Sequence, residues 1–458
     1  MKSMLSESVA LSVSWDTSWS NRLIGYLFIF IAALSAKAEQ KSSFSFTKVD
    51  LDLLEQVEIM DKKLDGNGLV YHNATVESYL NDVGRALVPN GIALERVRWD
   101  FHVTRDPMPN AFALPNGSIY VNTGLMSLLE NEDQLAGVLA HEITHVVDRH
   151  SYLHFRDYRK KVAIANIVSY AAAYAPGGNV WGQTIRLGAT LVPFVIAASI
   201  NGYSRELERN ADTYALDKLI ERGYDPKELA SAFRLLQRKD EVELQKVYYT
   251  DHPKLQDRIA HTEGLIGTRK PNPVPADVLE ARKLKYRSVN EELVREDVHL
   301  AILSHRSRTA LVRAKQLVEF NPDRAANYDA LGEAYSSLGP LSPEPEESEL
   351  TSSGKKETQR MNRKLTPDEQ ERALLLRSNG AEAEKQNSKS AESAYLKALS
   401  IDPRYAVTYR GLGQVYETMG RSKEALQAYQ RYLELQPNAL DQQRIRAHLD
   451  SLQRTPAK

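Results

Sequence analysis

Apolar residues follow a helical period over most of the chain and a strand-like alternation over one short region. From Leu51 to Val88 the period is helical, and Tyr79, Leu80 and Val83 fall on one face. This pattern predicts helices that each bury one side, and it covers the whole segment that precedes the first predicted strand.

A strand and a hairpin are predicted next. The stretch Phe101-His-Val-Thr alternates as a strand does, and residues 111–121 (AFALPNGSIYV) predict a hairpin that turns at 115–117. A long helix should follow, because Asn131 is a favourable N-cap and Gln134 stands at the capping-box position. The expected fold in this part of the chain is α+β.

Two apolar stretches, residues 162–175 and 187–200, follow the predicted long helix. At a rise of about 1.5 Å per residue each spans about 21 Å, which is short of a hydrocarbon core about 30 Å thick. We therefore predict a pair of buried helices, or a lid that dips into lipid and gives peripheral membrane contact. The alternative is full membrane insertion, as in an integral membrane protease.

The C-terminal part repeats itself with the spacing of a tetratricopeptide repeat, a pair of antiparallel helices. An earlier copy begins at Tyr328 and continues only from Ala391, so a long insertion divides it. The insert, at about 340–387, is rich in Pro, Ser, Glu and Lys, which predicts a mobile loop with a short helix from Thr366 to about Arg377. The intact copy has Tyr409, Leu412, Gly413, Tyr416, Gly420, Ala425, Tyr429 and Pro437 in phase.

Composition limits the kinds of functional site that the chain can form. The 458 residues are enough for two or three domains, and 59 basic against 60 acidic residues give no sign of a nucleic-acid-binding surface. There is no cysteine, which excludes disulfides, thiolate metal sites and a cysteine nucleophile. Any metal ion must therefore be held by His, Asp and Glu.

The N-terminus predicts export. An apolar run at residues 23–34 follows Arg22 and precedes the small-residue sequence ending at Ala38, which is typical of a signal peptide over residues 1–38. The alternative is an uncleaved anchor. The proline-rich stretch 271–275 predicts a boundary between a domain at 39–270 and a repeat domain at 276–458.

The sequence HEITH within the long helix carries the candidate chemistry. His141 and His145 are four residues apart, so their imidazoles lie on one helical face and can bind one ion. Glu142 stands beside the first ligand, where a carboxylate can take a proton from a metal-bound water. The pattern predicts a catalytic metal site.

A third ligand is expected in YSRELERNAD, residues 203–212. Glu208 and Asp212 are one helical turn apart, which allows Glu208 to bind the metal while Asp212 orients a ligand histidine. From spacing alone, Glu206 could equally be the third metal ligand. The residues by themselves leave this choice open.

HEITH, the preceding AFALPNGSIYVNTGLM and YSRELERNAD together resemble the soluble periplasmic, BepA-like branch of peptidase family M48. The resemblance implies a zincin-like α+β domain followed by an all-α repeat solenoid, with one Zn²⁺ ion per chain and Glu208 as the third ligand. It implies an endopeptidase in the periplasm that cleaves unfolded or misassembled proteins in outer-membrane protein quality control. The repeats would dock the substrate or the outer-membrane assembly machinery.

Two further elements are candidates for the reaction. His252, with Pro253 and Arg258, matches the family's His-Pro and following Arg, and it can stabilise an oxyanion, occupy the open metal position or form a structural turn. The predicted hairpin offers Ala113 and Ile119 as positions where an extended substrate adds as a strand. The rival to a protease is a repeat-based chaperone in which proteolysis is latent.

Overall fold

The computed structural model of the chain describes residues 44–89, 94–157, 203–237, 255–341 and 367–454, without the side chains of 367–379 and 453–454. The chain divides into a unit of residues 1–51 and a unit of residues 52–458. In the first unit the Thr47 amide and hydroxyl donate to Asp50. The predicted signal peptide, the two apolar stretches and His252 lie outside the described residues.

The N-terminal half contains a small sheet between helices. Its order is β1-β3-β2, with β1 parallel to β3 and β2 antiparallel to β3. The predicted strand and hairpin are confirmed, and Gly117 takes φ 97° in the turn, a conformation that favours glycine. The elements are α1 (Lys48–Gly66), α2 (Ala74–Leu87), β1 (Asp100–Thr104), β2 (Ala111–Ala113) and β3 (Ser118–Asn122).

A short helix, α3 (Thr123–Leu128), leads into the long helix α4 (Glu132–Val147). Asn131 caps α4 as predicted, since its side chain accepts a hydrogen bond from the Gln134 amide. The Gln134 side chain, however, accepts from the amide of Glu130 and not from that of Asn131, so the capping box is not formed as expected. All 16 residues of α4 are buried, and this helix is the centre of the fold.

Three further helices follow: α5 (Arg205–Arg222), α6 (Lys227–Leu236) and α7 (Leu255–Arg269). Ser204 caps α5, and Gly223 ends it in the left-handed conformation at φ 71°. Helices α5 and α6 pack on α4, while α7 packs on α5 and α6. The motif YSRELERNAD is thereby brought to the face of α4 that carries HEITH.

The C-terminal half is entirely helical over the described residues. In the intact repeat, a Cβ on Gly413 would lie 2.5 Å from the Tyr429 ring, which explains the small residue there. Gly332 has the same relation to Tyr395, so the two halves of the divided repeat pack together across the insertion. The helices are α8 (Ala276–Leu303), α9 (Ser307–Phe320), α10 (Ala325–Leu338), α11 (Pro367–Ile401), α12 (Ala406–Thr418), α13 (Ser422–Leu435) and α14 (Gln442–Arg454).

The second part of the insert is helical, which corrects the prediction of a loop with a short helix. Helix α11 runs without interruption for 35 residues from Pro367 into the second helix of the divided repeat. Residues 381–386 (AEAEKQ) are strong helix formers, and extending an existing helix costs far less than starting one. Among the described helices, none is long and apolar enough to cross a membrane.

Helix α8 follows the predicted domain boundary but packs into the same core as the sheet and α4. Tyr286 and Leu293 belong to this core, and the Tyr286 hydroxyl donates to the carbonyl of Met126 at 2.6 Å. Arg282 donates to Asp133 in the first turn of α4 at 2.9 Å. The first helix of the C-terminal half therefore belongs to the core of the N-terminal half.

We expect Leu293→Ala to lower the free energy of unfolding by about 2–5 kcal/mol, because it leaves a cavity in this shared core. Leu303→Ala in the same helix is the control, since Leu303 is 63% exposed and Leu293 is 0% exposed. Urea unfolding of both variants measures the difference. Equal effects would show that α8 does not stabilise the N-terminal half.

Candidate metal centre

Three buried side chains from two helices meet between α4 and α5. Nε2 of His141 lies 3.1 Å from Nε2 of His145, and the Glu208 oxygens lie 3.5 Å and 3.7 Å from these two nitrogens. Among the described residues this is the group of His, Asp and Glu side chains that can hold a metal ion. Glu206 is exposed, so the structure brings Glu208 and not Glu206 to the histidines.

The donor set fits a zinc ion. Ligand atoms at about 2.0–2.1 Å from a tetrahedral centre are separated from one another by roughly 3.3 Å. The observed separations of 3.1–3.7 Å bracket that value without any movement of the helices. Two imidazoles and one carboxylate are also the ligand types of catalytic zinc sites that leave a position for water.

Asp212 lies where the sequence predicted it. Its Oδ1 is 3.0 Å from Nδ1 of His141, so the ring presents Nε2 toward His145 and Glu208. Arg258 of α7 in turn holds Asp212, with Nε donating to Oδ2 at 2.9 Å and Nη2 donating to Oδ1 at 2.6 Å. Two parallel charge-assisted hydrogen bonds fix the plane of the carboxylate as well as its position.

Arg258 has a larger part in the site than its sequence motif suggested. Its Nη1 lies 3.2 Å from Glu208 Oε2, and its guanidinium stacks over the Phe233 ring at 4.1 Å. Arg258, Asp212 and Glu208 are all nearly inaccessible to solvent. Helix α7 therefore supplies a guanidinium that pairs with both buried carboxylates of α5.

The charges around the site shift the pKa values of its members. Burial and the Arg258 charge lower the pKa of His141, but hydrogen bonds to Asp212 and Glu208 outweigh them and raise it to about 9. For Asp212, burial raises the pKa, and the stronger opposing effect of Arg258 and His141 leaves it below its usual range. The raised pKa of His141 favours its protonated ring, and a proton on the ring competes with a metal ion for the ligand nitrogen.

His145 has different neighbours. Its Nδ1 lies 2.8 Å from Nδ1 of His150, and its ring stacks on Tyr203 at 3.9 Å with an interplanar angle of 16°. His150 therefore packs against the edge of the His145 ring that faces away from His141 and Glu208. Burial lowers the pKa of His150 and raises that of Tyr203 well above its usual range.

The remaining candidates lie in separate places. Glu142 is buried in α4 beside His141, as expected from HEITH. Ala113 lies in β2 at the edge of the sheet, but Ile119 lies in the central strand β3, which is paired on both sides. Ile119 is therefore wrong as an edge position, and its side chain, like that of Ala113, points into the core.

Comparison with known proteins connects this geometry to a family. The model of peptidase family M48 matches residues 74–266, and a tetratricopeptide-repeat model matches residues 406–439. The chain is 30% identical over 236 residues to metalloprotease LoiP of Escherichia coli, covering 85% of that protein and 50% of this chain. The chain belongs to peptidase family M48. Its M48 domain, which contains HEITH and Glu208, is a metallopeptidase domain.

Other relatives are covered less completely. The chain is 31% identical over 229 residues to the mitochondrial metalloendopeptidase OMA1 of Schizosaccharomyces pombe, which spans 62% of that protein and 48% of this chain. It is 23% identical over 215 residues to the beta-barrel assembly-enhancing protease of Escherichia coli, spanning 43% of that protein and 46% of this chain. The aligned region covers less than two thirds of the length of each of these two relatives.

We expect Arg258→Met to lower the free energy of unfolding by about 3–5 kcal/mol in the presence of EDTA, because it removes the guanidinium that pairs with two buried carboxylates. Urea unfolding of the metal-free proteins measures this. Arg269→Met is the control, since the Arg269–Asp217 ion pair is exposed and its loss should leave the unfolding midpoint unchanged. If Arg258→Met also leaves the unfolding midpoint unchanged, the guanidinium does not stabilise the two buried carboxylates.

Proposed function

We propose that the chain is a zinc-dependent endopeptidase, in which a zincin-like α+β domain is followed by a tetratricopeptide-repeat solenoid. The observation that carries this is the buried set of His141, His145 and Glu208, with Glu142 adjacent in the same helix. These three residues would hold the zinc ion. When bound, the ion supplies a Lewis acid that polarises a carbonyl and acidifies water.

The chain's own residues supply the proton transfers and the orientation. Glu142 would accept a proton at its carboxylate from the attacking water and deliver it to the nitrogen of the departing amine. Asp212, locked by Arg258, would keep Nε2 of His141 directed at the ion. His252 remains a candidate for oxyanion stabilisation, for occupying the open position or for a turn.

The sheet edge supports an extended substrate. Leu114 donates to Ser118, and Asn122 donates to Asn110, so the hydrogen-bonded partners along the hairpin are alternate residues that include Phe112. The backbone N–H and C=O of Ala111 and Ala113 therefore point away from β3, toward the side of β2 that has no partner strand among the described residues. Strand β2 packs on α4, and an extended peptide added to it would run alongside the helix that carries the site.

Extended binding through backbone groups selects for unfolded or misassembled proteins, because folded chains have their strands already paired. With relatives named as beta-barrel assembly-enhancing proteases, we propose work in outer-membrane protein quality control in the periplasm. In this scheme residues 1–38 are the export signal, residues 39–270 form the peptidase domain and residues 276–458 bind substrate or assembly machinery. The insert at about 340–387 lies within the repeats.

Replacing Glu142 with Gln should reduce casein cleavage by roughly 100-fold or more, because an amide cannot accept the proton. The measurement is cleavage by purified protein with zinc content determined in parallel. Glu206→Gln is the matched control, since Glu206 is an exposed carboxylate close in sequence to Glu208. Full cleavage by the Glu142 variant with zinc bound would rule out this carboxylate as the proton acceptor.

Replacing Ala113 with Pro should lower kcat/KM for casein by about five- to tenfold. The substitution removes a backbone N–H that points outward and would donate a hydrogen bond to the substrate, and one such bond contributes about 1 kcal/mol. Proline is tolerated on an edge strand, so zinc content should not change. Ala113→Ser keeps the N–H and should keep kcat/KM. If the proline variant cleaves as well as the serine variant, the substrate does not add to this edge.

A further inference from the structure

The ring of His145 is fixed by contacts on its Nδ1 edge and on one face. Nδ1 meets Nδ1 of His150 at 2.8 Å, and the face stacks on Tyr203 at 3.9 Å. Tyr203 is itself anchored, because its hydroxyl lies 2.9 Å from Oγ of Ser151, the residue next to His150. The two restraints are therefore connected through the short helical segment at 150–157.

We propose that His150 and Tyr203 are positioning residues for zinc binding: His150 fixes the tautomer of His145, and Tyr203 fixes the plane of its ring. This inference rests on the proposed zinc site. It assigns functions to two side chains that are neither ligands nor proton carriers.

The tautomer follows from the geometry. Nε2 of His145 faces His141 and Glu208, so Nε2 supplies the lone pair to the ion and Nδ1 carries the hydrogen. Nδ1 then donates to Nδ1 of His150, which must be unprotonated. The hydrogen of His150 consequently resides on its Nε2, which faces Asp148 Oδ2 at 4.0 Å.

A break in the helix brings His150 to this position. On a continuous helix, residues five apart lie about 140° apart around the axis, which would direct His150 away from the metal. Helix α4 ends at Val147, and Arg149 takes φ 57°, a left-handed conformation that is unfavourable for a residue with a Cβ. Arg149 Nη2 donates to the carbonyl of Glu95 at 3.0 Å and helps to hold the turn. A strained turn directly after a metal-binding motif is consistent with a functional constraint.

Tyr203 connects two ligands through the backbone. It immediately precedes Ser204, the N-cap of α5, and Glu208 lies in the first turn of that helix. The stacking contact therefore sets the start of α5 relative to the ring of His145. Displacing this contact would shift the third ligand together with the second.

The two ligand histidines are oriented in different ways. His141 is held by a carboxylate that is paired with Arg258, whereas His145 is held by a neutral imidazole. A ring nitrogen partner of either kind fixes a ligand histidine, and loss of such a partner typically weakens metal binding by 10- to 100-fold. The same range should apply to His150.

The test is the zinc dissociation constant of the full chain, measured by competition with a chromogenic chelator. We expect His150→Leu to weaken zinc binding by about 10- to 100-fold. His150→Asn should recover most of the loss, because its amide oxygen can accept near the position of Nδ1. Tyr203→Leu should weaken binding, and Tyr203→Phe, which keeps the stacked ring, should bind within a few-fold of the wild type.

Controls separate positioning from folding and from the proposed site itself. The metal-free unfolding midpoint of each variant is measured alongside, and Leu153→Ala, on the exposed side of the same helical segment, should bind zinc as the wild type does. A wild type that binds no zinc would overturn the metal site. A wild type that binds zinc together with an equally tight His150→Leu variant would overturn only the positioning role.

A second measurement needs no substitution. In the zinc-loaded wild type, the ring ¹⁵N chemical shifts report which nitrogen of each histidine carries hydrogen. We expect hydrogen on Nδ1 of His145 and on Nε2 of His150. Hydrogen on Nδ1 of His150 would exclude it as the acceptor and overturn the proposal.

Discussion

The fold depends on the burial of charged and polar groups in one wholly buried helix. Helix α4 has no exposed residue over its 16 positions, yet it contains two histidines and several acids. Buried polar groups are tolerated only when they are hydrogen-bonded or paired. Helices α5 and α7 supply the partners in the middle of α4, through Asp212, Glu208 and Arg258.

The polar side chains at the N-terminal end of α4 receive their hydrogen bonds from other elements. Glu132 accepts hydrogen bonds from the hydroxyls of Tyr79 and Tyr224, and Asp133 accepts from the Asp225 amide and from Arg282. Arg282 lies on α8, so the first helix of the C-terminal half completes the polar surroundings of α4. The peptidase half and the repeat half are joined through the helix that carries the candidate site.

Much of this could be predicted because the relevant signals are local. The N-cap follows from the residue type of Asn131, and the positions of His141, His145 and Asp212 follow from helical periodicity. The hairpin of β2 and β3 could be predicted because the residues of its own turn indicate it. Family resemblance then chose Glu208, where spacing had left Glu206 as an equal candidate.

The features that could not be predicted from the sequence depend on long-range contacts or on breaks in helical periodicity. The contact between His150 and His145 could not be predicted from helical spacing, because it depends on the left-handed turn at Arg149 that follows α4. The proline-rich stretch before α8 indicated a linker, but only tertiary packing shows that Tyr286 returns to the first core. Composition predicted a mobile loop with a short helix ending near Arg377, whereas the helix that begins at Pro367 continues into the repeat.

The position of Arg258 in the chain also has a consequence for the order of folding. During synthesis from the N-terminus, α4 and α5 emerge with their histidines and carboxylates before the residue that balances them is made. Until α7 is complete, these groups cannot be buried without a large electrostatic penalty. We therefore expect the N-terminal half to remain loosely packed on the ribosome at least until residues near 269 have emerged, which delays assembly of the metal site.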